Sequence, residues 1–185
     1  MSRTRLPLII AIVIAAIAAG VAAGTRSNKW WWDNLAGPDS SNFVGSDQIR
    51  KSNVTQLEVA WFYPYATNGF NPIVVDGVMY LLGRNSSLIA LDATTGQELW
   101  IHEGLGGIIS RGVNYWQSED GKDRRLLFSI NSFLQEIDAR TGKSILTFGE
   151  NGIVDLRHEL PRAEQYAGRI QSNSPGKIWK NLIIL

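Results

Sequence analysis

The sequence runs to 185 residues, 44% apolar and 19% charged, proportions that exclude a wholly disordered chain and a polytopic membrane protein. Its 18 Lys+Arg stand against 17 Asp+Glu for a net charge of +1, so no cationic excess supports nucleic-acid binding. The absence of cysteine excludes a disulfide scaffold, a cysteine nucleophile, a thiolate metal site and a lipid-modified N-terminal cysteine, while seven Trp and 18 Gly suggest short strands joined by tight turns.

In chain order the first element is a targeting segment. Arg3 and Arg5 precede an uninterrupted apolar run from Leu6 to Ala23, which closes on the small residues Val21, Ala22 and Ala23. A basic start, an apolar middle and a small-residue end match a secretory signal. At 18 residues the run also reaches the lower edge of a bilayer span. Residues 1–28 are therefore expected to be a signal peptide or a transmembrane anchor, with the basic flank inside and the rest of the chain outside the cytoplasm. Trp30, Trp31 and Trp32 follow, suited either to a membrane interface or to packing on the folded body.

From residue 29 onward the pattern changes to short apolar stretches separated by Gly, Asn, Asp and Ser. Residues 78–96 (VMYLLGRNSSLIALDATTG) align without a gap on residues 124–142 (RRLLFSINSFLQEIDARTG), an offset of 46 with eight of nineteen positions identical. The shared residues include Asn85/Asn131, Asp92/Asp138, Thr95/Thr141 and Gly96/Gly142. A period in the forties with strand-like content is the signature of propeller blades.

Each unit reads as four strands. In the first they fall near 73–75, 78–82, 88–91 and 98–101, with Asp76-Gly77 as a two-residue hairpin turn. In the second they fall near 108–115, 126–130, 134–137 and 144–148. A third unit starts at Pro175, with Lys180-Asn181 standing where the Asp-Gly turn stood. Two and a half such units do not close a ring, so the chain is expected to be the N-terminal part of a longer protein.

The stretch Ala90-Leu91-Asp92-Ala93-Thr94-Thr95-Gly96-Gln97-Glu98-Leu99-Trp100 follows the pattern A-x-D-x-x-T-G-x-x-x-W. It resembles the tryptophan-docking motif of the pyrroloquinoline quinone-dependent (quinoprotein) dehydrogenases. In the second copy Leu146 replaces the tryptophan. Asp47-Gln48-Ile49, Asn53-Val54, Leu57 and Ala60-Trp61 resemble that family's ring-closing segment, which makes Trp61 a further docking residue. Arg111-Gly112-Val113-Asn114-Tyr115-Trp116 is similar to a segment on the inner strand of the second blade. Phe148-Gly149 and Gly152-Ile153-Val154-Asp155-Leu156 resemble an inter-blade connection of the glucose-dehydrogenase-like branch. Leu105-Gly106-Gly107 occupy the place where some alcohol-oxidising members carry an adjacent cysteine pair.

The resemblance implies an all-β fold, residues 29–185 forming part of an eight-bladed β-propeller. It implies oxidation of a sugar or alcohol hydroxyl with bound pyrroloquinoline quinone and Ca²⁺, the electrons passing to a membrane quinone or a cytochrome. It places the protein in the periplasm, secreted, or anchored through Leu6 to Ala23 to the inner membrane and facing the periplasm. Arg111 is the implied contact to the quinone cofactor, a guanidinium fork suited to a tricarboxylate. Ser172, with Asn173 and Ser174 close behind, stands where the family contacts a cofactor carboxylate. Asn71 takes the place of a polar residue before the first inner strand, where Gly69 departs from the family pattern. The catalytic base and the Ca²⁺ ligands are expected beyond Leu185, so the 185 residues alone are expected to be inactive.

Other constellations do not hold. His158-Glu159 lacks the second histidine of a zinc-protease motif, and His102 reads as structural. Gly104, Gly106 and Gly107 do not open a helix as a dinucleotide fingerprint does. The competing reading is a non-catalytic propeller scaffold of the same superfamily.

Overall fold

A computed structural model describes residues 48–64, 70–158, 170 and 173–185. The apolar run of 6–23, Trp30 to Trp32, and Ser172 lie outside the described residues. Among the described residues no helix is long and apolar enough to cross a membrane.

Strands β1 (Ile73–Val75), β2 (Val78–Leu82), β3 (Leu88–Asp92) and β4 (Glu98–His102) form one antiparallel sheet in chain order. Asp76 and Gly77 join β1 to β2 with φ of 51° and 78°, the paired left-handed conformation of a tight hairpin. A second antiparallel sheet repeats the order with β5 (Asn114–Gln117), β6 (Arg124–Ile130), β7 (Phe133–Asp138) and β8 (Ile153–Asp155). A third unit supplies the hairpin β9 (Lys177–Trp179) and β10 (Leu182–Ile184), with Lys180 at φ 55° in its turn.

The repeated residues do the same work in both sheets. Asn85 and Asn131 precede the third strands at φ of 54° and 53°, a left-handed conformation that asparagine tolerates better than most residues. Asp92 Oδ1 accepts hydrogen bonds from the N–H groups of Thr94 and Thr95 and from the Thr95 hydroxyl. Asp138 Oδ1 accepts the N–H groups of Arg140 and Thr141. These turns end on Gly96 and Gly142, each with φ near 70°.

Burial follows sheet position. Leu88, Ala90 and Leu91 of the central strand β3 are fully enclosed, whereas Leu99 and Ile101 of the edge strand β4 are exposed. Val113, Leu126, Phe128 and Ile137 continue the same core into the second sheet. Tyr80 bridges the two sheets, its ring stacked on Tyr115 at 6.2 Å and tilted against Trp100 at 5.9 Å.

Two strands of the second sheet differ from the expected bounds. The run 108–115 yields a strand only from Asn114, with Ile108 making an isolated bridge to Ile130. Gly107 and Gly112, at φ of 87° and 132°, break the extended path, so Arg111 precedes β5 rather than lying in it. The run 144–148 is not a strand either. Ser144 alone bridges Ile137, and the fourth strand is 153–155, paired with Phe133 to Gln135. Positive φ at Gly149, Asn151 and Gly152 folds the intervening chain into a tight loop. Leu146, at the would-be docking position, stays 68% exposed.

Candidate functional site

Three segments lead into the first strands of the three units: residues 70–72, 111–113 and 173–176. They lie side by side. The Asn71 side-chain amide donates to the carbonyl of Arg111 at 3.0 Å. The next residue, Gly112, is buried with φ 132°. That backbone conformation favours glycine, and a side chain there would also stand a tight 3.3 Å from the Asn71 carbonyl oxygen, with Pro175 Cγ in ordinary contact at 3.8 Å. Two residues on, Asn114 is fully buried and its amide donates to the Pro175 carbonyl. A lateral chain of contacts thus runs from the first unit through Arg111, Gly112 and Asn114 to the third.

Arg111 is exposed at this junction, and its guanidinium makes no hydrogen bond or ion pair among the described residues. It is a cation held through its backbone and open at its head. Asn71 and Asn173 are exposed at the ends of the neighbouring segments. Ser174 is likewise exposed, and Ser172 lies outside the described residues. The junction therefore combines an open guanidinium with neutral polar groups, a donor set suited to carboxylates.

The other arginine near the second sheet is differently employed. Arg125 lies 5.4 Å over the Trp116 ring, donates from Nε and Nη2 to the Asp123 carboxylate, and reaches Glu136 from Nη1 at 2.5 Å. The hydrogen bonds it donates to Asp123, and then to Glu136, hold its guanidinium firmly protonated. It borders a cleft of about 350 Å³ between the second sheet and the β9–β10 hairpin, lined by Trp116, Leu127, Glu136, Phe148 and Leu182. Because its charge is already paired, that cleft is an inter-sheet contact and not an anion site. Among the described residues no group of three His, Asp or Glu could hold a metal ion.

Indoles stitch the units together away from the junction. Trp61 Nε1 donates to the Ala93 carbonyl at 3.1 Å, and Trp100 Nε1 donates to the Ala139 carbonyl at 3.1 Å. Each ring covers the turn glycine of the sheet it reaches, Gly96 and Gly142 respectively. His102 adds a ring-nitrogen contact to the Gly142 carbonyl at 2.6 Å, in keeping with a structural role. Trp116 makes a third such link, to the Lys180 carbonyl at 3.0 Å.

Sequence reasoning singled out Arg111 and Asn71, which the fold brings together, and missed Asn114. Its signal was present: an amide between Val113 and Tyr115, both buried, in an otherwise apolar strand start. Trp116 is legible in the sequence only as part of a motif, because its carbonyl partner lies 64 residues away.

With this geometry in place, comparison with known proteins is informative. A family profile described as the glucose/ethanol/alcohol dehydrogenase β-propeller domain matches residues 31–185. The quinoprotein glucose dehydrogenase of Gluconobacter oxydans is 30% identical over 170 residues, covering 75% of this chain and 21% of that protein. The dehydrogenase subunit of a quinone alcohol dehydrogenase from the same organism is 34% identical over 113 residues, covering 54% of this chain and 14% of that protein. The crystal structure of the quinohemoprotein alcohol dehydrogenase of Comamonas testosteroni superposes with a TM-score of 0.56 at 23% identity, over 80% of this chain and 24% of that one, and shows the shared fold. The chain thus spans about a fifth of the length of the glucose dehydrogenase it matches. Its repeated sheets, docked tryptophans and profile match together place it in the PQQ-dependent glucose/ethanol/alcohol dehydrogenase β-propeller family.

Proposed function

We propose that the whole protein oxidises a sugar or alcohol hydroxyl with bound pyrroloquinoline quinone and passes the electrons to a membrane quinone or a cytochrome. The observation that carries this reading is the open guanidinium of Arg111 at the junction of the three leading segments. Its backbone is held by Asn71, and it has no partner among the described residues. The residues present suit the cofactor: a polycarboxylate needs fixed cations and polar donors, and Arg111 supplies the first while Asn71, Ser172 and Asn173 supply the second. When bound, the quinone supplies the two-electron acceptor chemistry. Arg111 binds and orients a carboxylate. Asn71 and Gly112 set where the guanidinium stands.

Several finer points belong to the same proposal. Leu105-Gly106-Gly107 in place of a cysteine pair favours a sugar-type substrate. The basic-apolar N-terminus favours a protein outside the cytoplasm, secreted or anchored at the membrane. Ca²⁺ is the second cofactor of the same proposal; among the described residues no cluster of three His, Asp or Glu stands ready for it.

The test is a quinone titration of the whole protein followed by dye reduction with sugars and primary alcohols. Saturable quinone binding, with turnover on at least one substrate, is expected. Absence of quinone binding would overturn the reading and leave a non-catalytic scaffold. Replacement of Arg111 by Ala is expected to weaken quinone binding at least tenfold with the fold intact, in line with loss of a charge-assisted contact. Unchanged affinity would remove Arg111 from the site.

A further inference from the structure

Asn114 is expensive where it stands. It is fully buried, flanked in sequence by the buried Val113 and Tyr115, and its Oδ1 accepts no hydrogen bond among the described residues. A buried amide with half its capacity unused costs free energy that an apolar residue of similar size would not, and such sites in native proteins call for an explanation. The offset is visible in the other half of the amide, which donates to the Pro175 carbonyl 61 residues away. Pro175 follows directly on Asn173 and Ser174, so the bond anchors those two polar residues to the strand that begins three residues after Arg111. On the opposite side Asn71 anchors the Arg111 carbonyl to the first unit.

We infer that Asn114 is a positioning residue for cofactor binding. It fixes Asn173 and Ser174 relative to the Arg111 guanidinium, so that both sides meet the same polyanionic ligand without reorganisation. This rests on the quinone-binding reading above. Holding two binding groups in register before the ligand arrives raises affinity by lowering the ordering cost of binding. The free Oδ1 is the cost of using asparagine as the link, since only its donor half reaches Pro175.

The role predicts coupling between Asn114 and Arg111. A rigid guanidinium fork needs its partner segment in register, whereas a lysine ammonium on a flexible stem adapts. The probe is pyrroloquinoline quinone, titrated against the whole protein by quenching of tryptophan fluorescence. Asn114→Ala is expected to weaken binding about fivefold in the parent, and by less than twofold in the Arg111→Lys background. Equal losses in both backgrounds, or no loss in the parent, would overturn the inference while leaving the quinone-binding reading intact. Should Asn114→Ala not fold, the smaller polar replacement Asn114→Ser serves in its place, with the same two outcomes, because its short side chain removes the amide that reaches the Pro175 carbonyl. A parent protein that binds no quinone would overturn the reading itself, and this inference with it.

Discussion

The indole of Trp100 donates to the carbonyl of Ala139 at 3.1 Å, carrying the edge strand of one sheet onto the turn of the next. Trp61 makes the same bond to Ala93, the residue one repeat earlier. The contact is geometrically demanding, because each ring lies against a glycine that closes the turn. A side chain on Gly142 would approach the Trp100 ring to 2.6 Å, and one on Gly96 would approach Trp61 equally closely.

Gly142→Ala should therefore combine a left-handed backbone penalty with a steric clash, for a loss of about 3 kcal/mol. Gly77→Ala is the control. Its φ of 78° is similar but nothing lies within 4 Å, so only the backbone penalty of about 1 kcal/mol applies. Urea unfolding midpoints of the two variants check this. Equal losses would mean that the docked indole does not constrain the turn.

Arg125 and Glu136 form an ion pair in which the carboxylate side is only 8% exposed. Arg125→Met leaves Glu136 enclosed without its cation and should cost about 3 kcal/mol. Adding Glu136→Leu should recover most of that loss, because two apolar groups then replace two charges. Thermal unfolding of the single and double variants reads both effects.

Arg157 hydrogen-bonds the Asp155 carboxylate through Nε and Nη2, and this holds the Asp155 pKa down to about 2. The folded-state value lies below the unfolded one, so the linked stability is present above about pH 4 and is lost as pH falls toward 2. Asp155→Asn should flatten the acid limb of the stability profile in that window and leave the limb above pH 5 unchanged in shape. Denaturant midpoints measured between pH 2 and 6 check it.

Gly112 stands between Arg111 and the strand start, with φ 132° and the Asn71 carbonyl 3.3 Å from a side chain built there. Gly112→Ala should displace the Arg111 segment and raise the quinone dissociation constant about tenfold. Fluorescence titration measures the constant, and far-ultraviolet circular dichroism checks that the sheets persist.

Much of the fold was legible because it is periodic. The 46-residue offset, the Asp76-Gly77 turn and the A-x-D-x-x-T-G-x-x-x-W stretch are local patterns, and local patterns dictate local backbone. The first sheet accordingly has nearly the expected strands. The second departs where glycines override apolar content: Gly112 cuts short the strand expected from 108, and the Gly149–Gly152 region moves the fourth strand to Ile153–Asp155. Apolar composition cannot reveal a positive φ that depends on what the neighbouring chain permits.

The candidate site divides in the same way. The sequence by itself determined the repeat, the family and Arg111 as a cation worth attention, since each rests on residue types at short spacing. Only the tertiary structure decided which groups meet. It set Asn71 against the Arg111 carbonyl, joined Asn114 to Pro175 across 61 residues, and matched each docking indole to a carbonyl in the following sheet. Those pairings depend on how twisted sheets stack, and stacking sums weak contacts over distant segments that no short stretch of sequence contains.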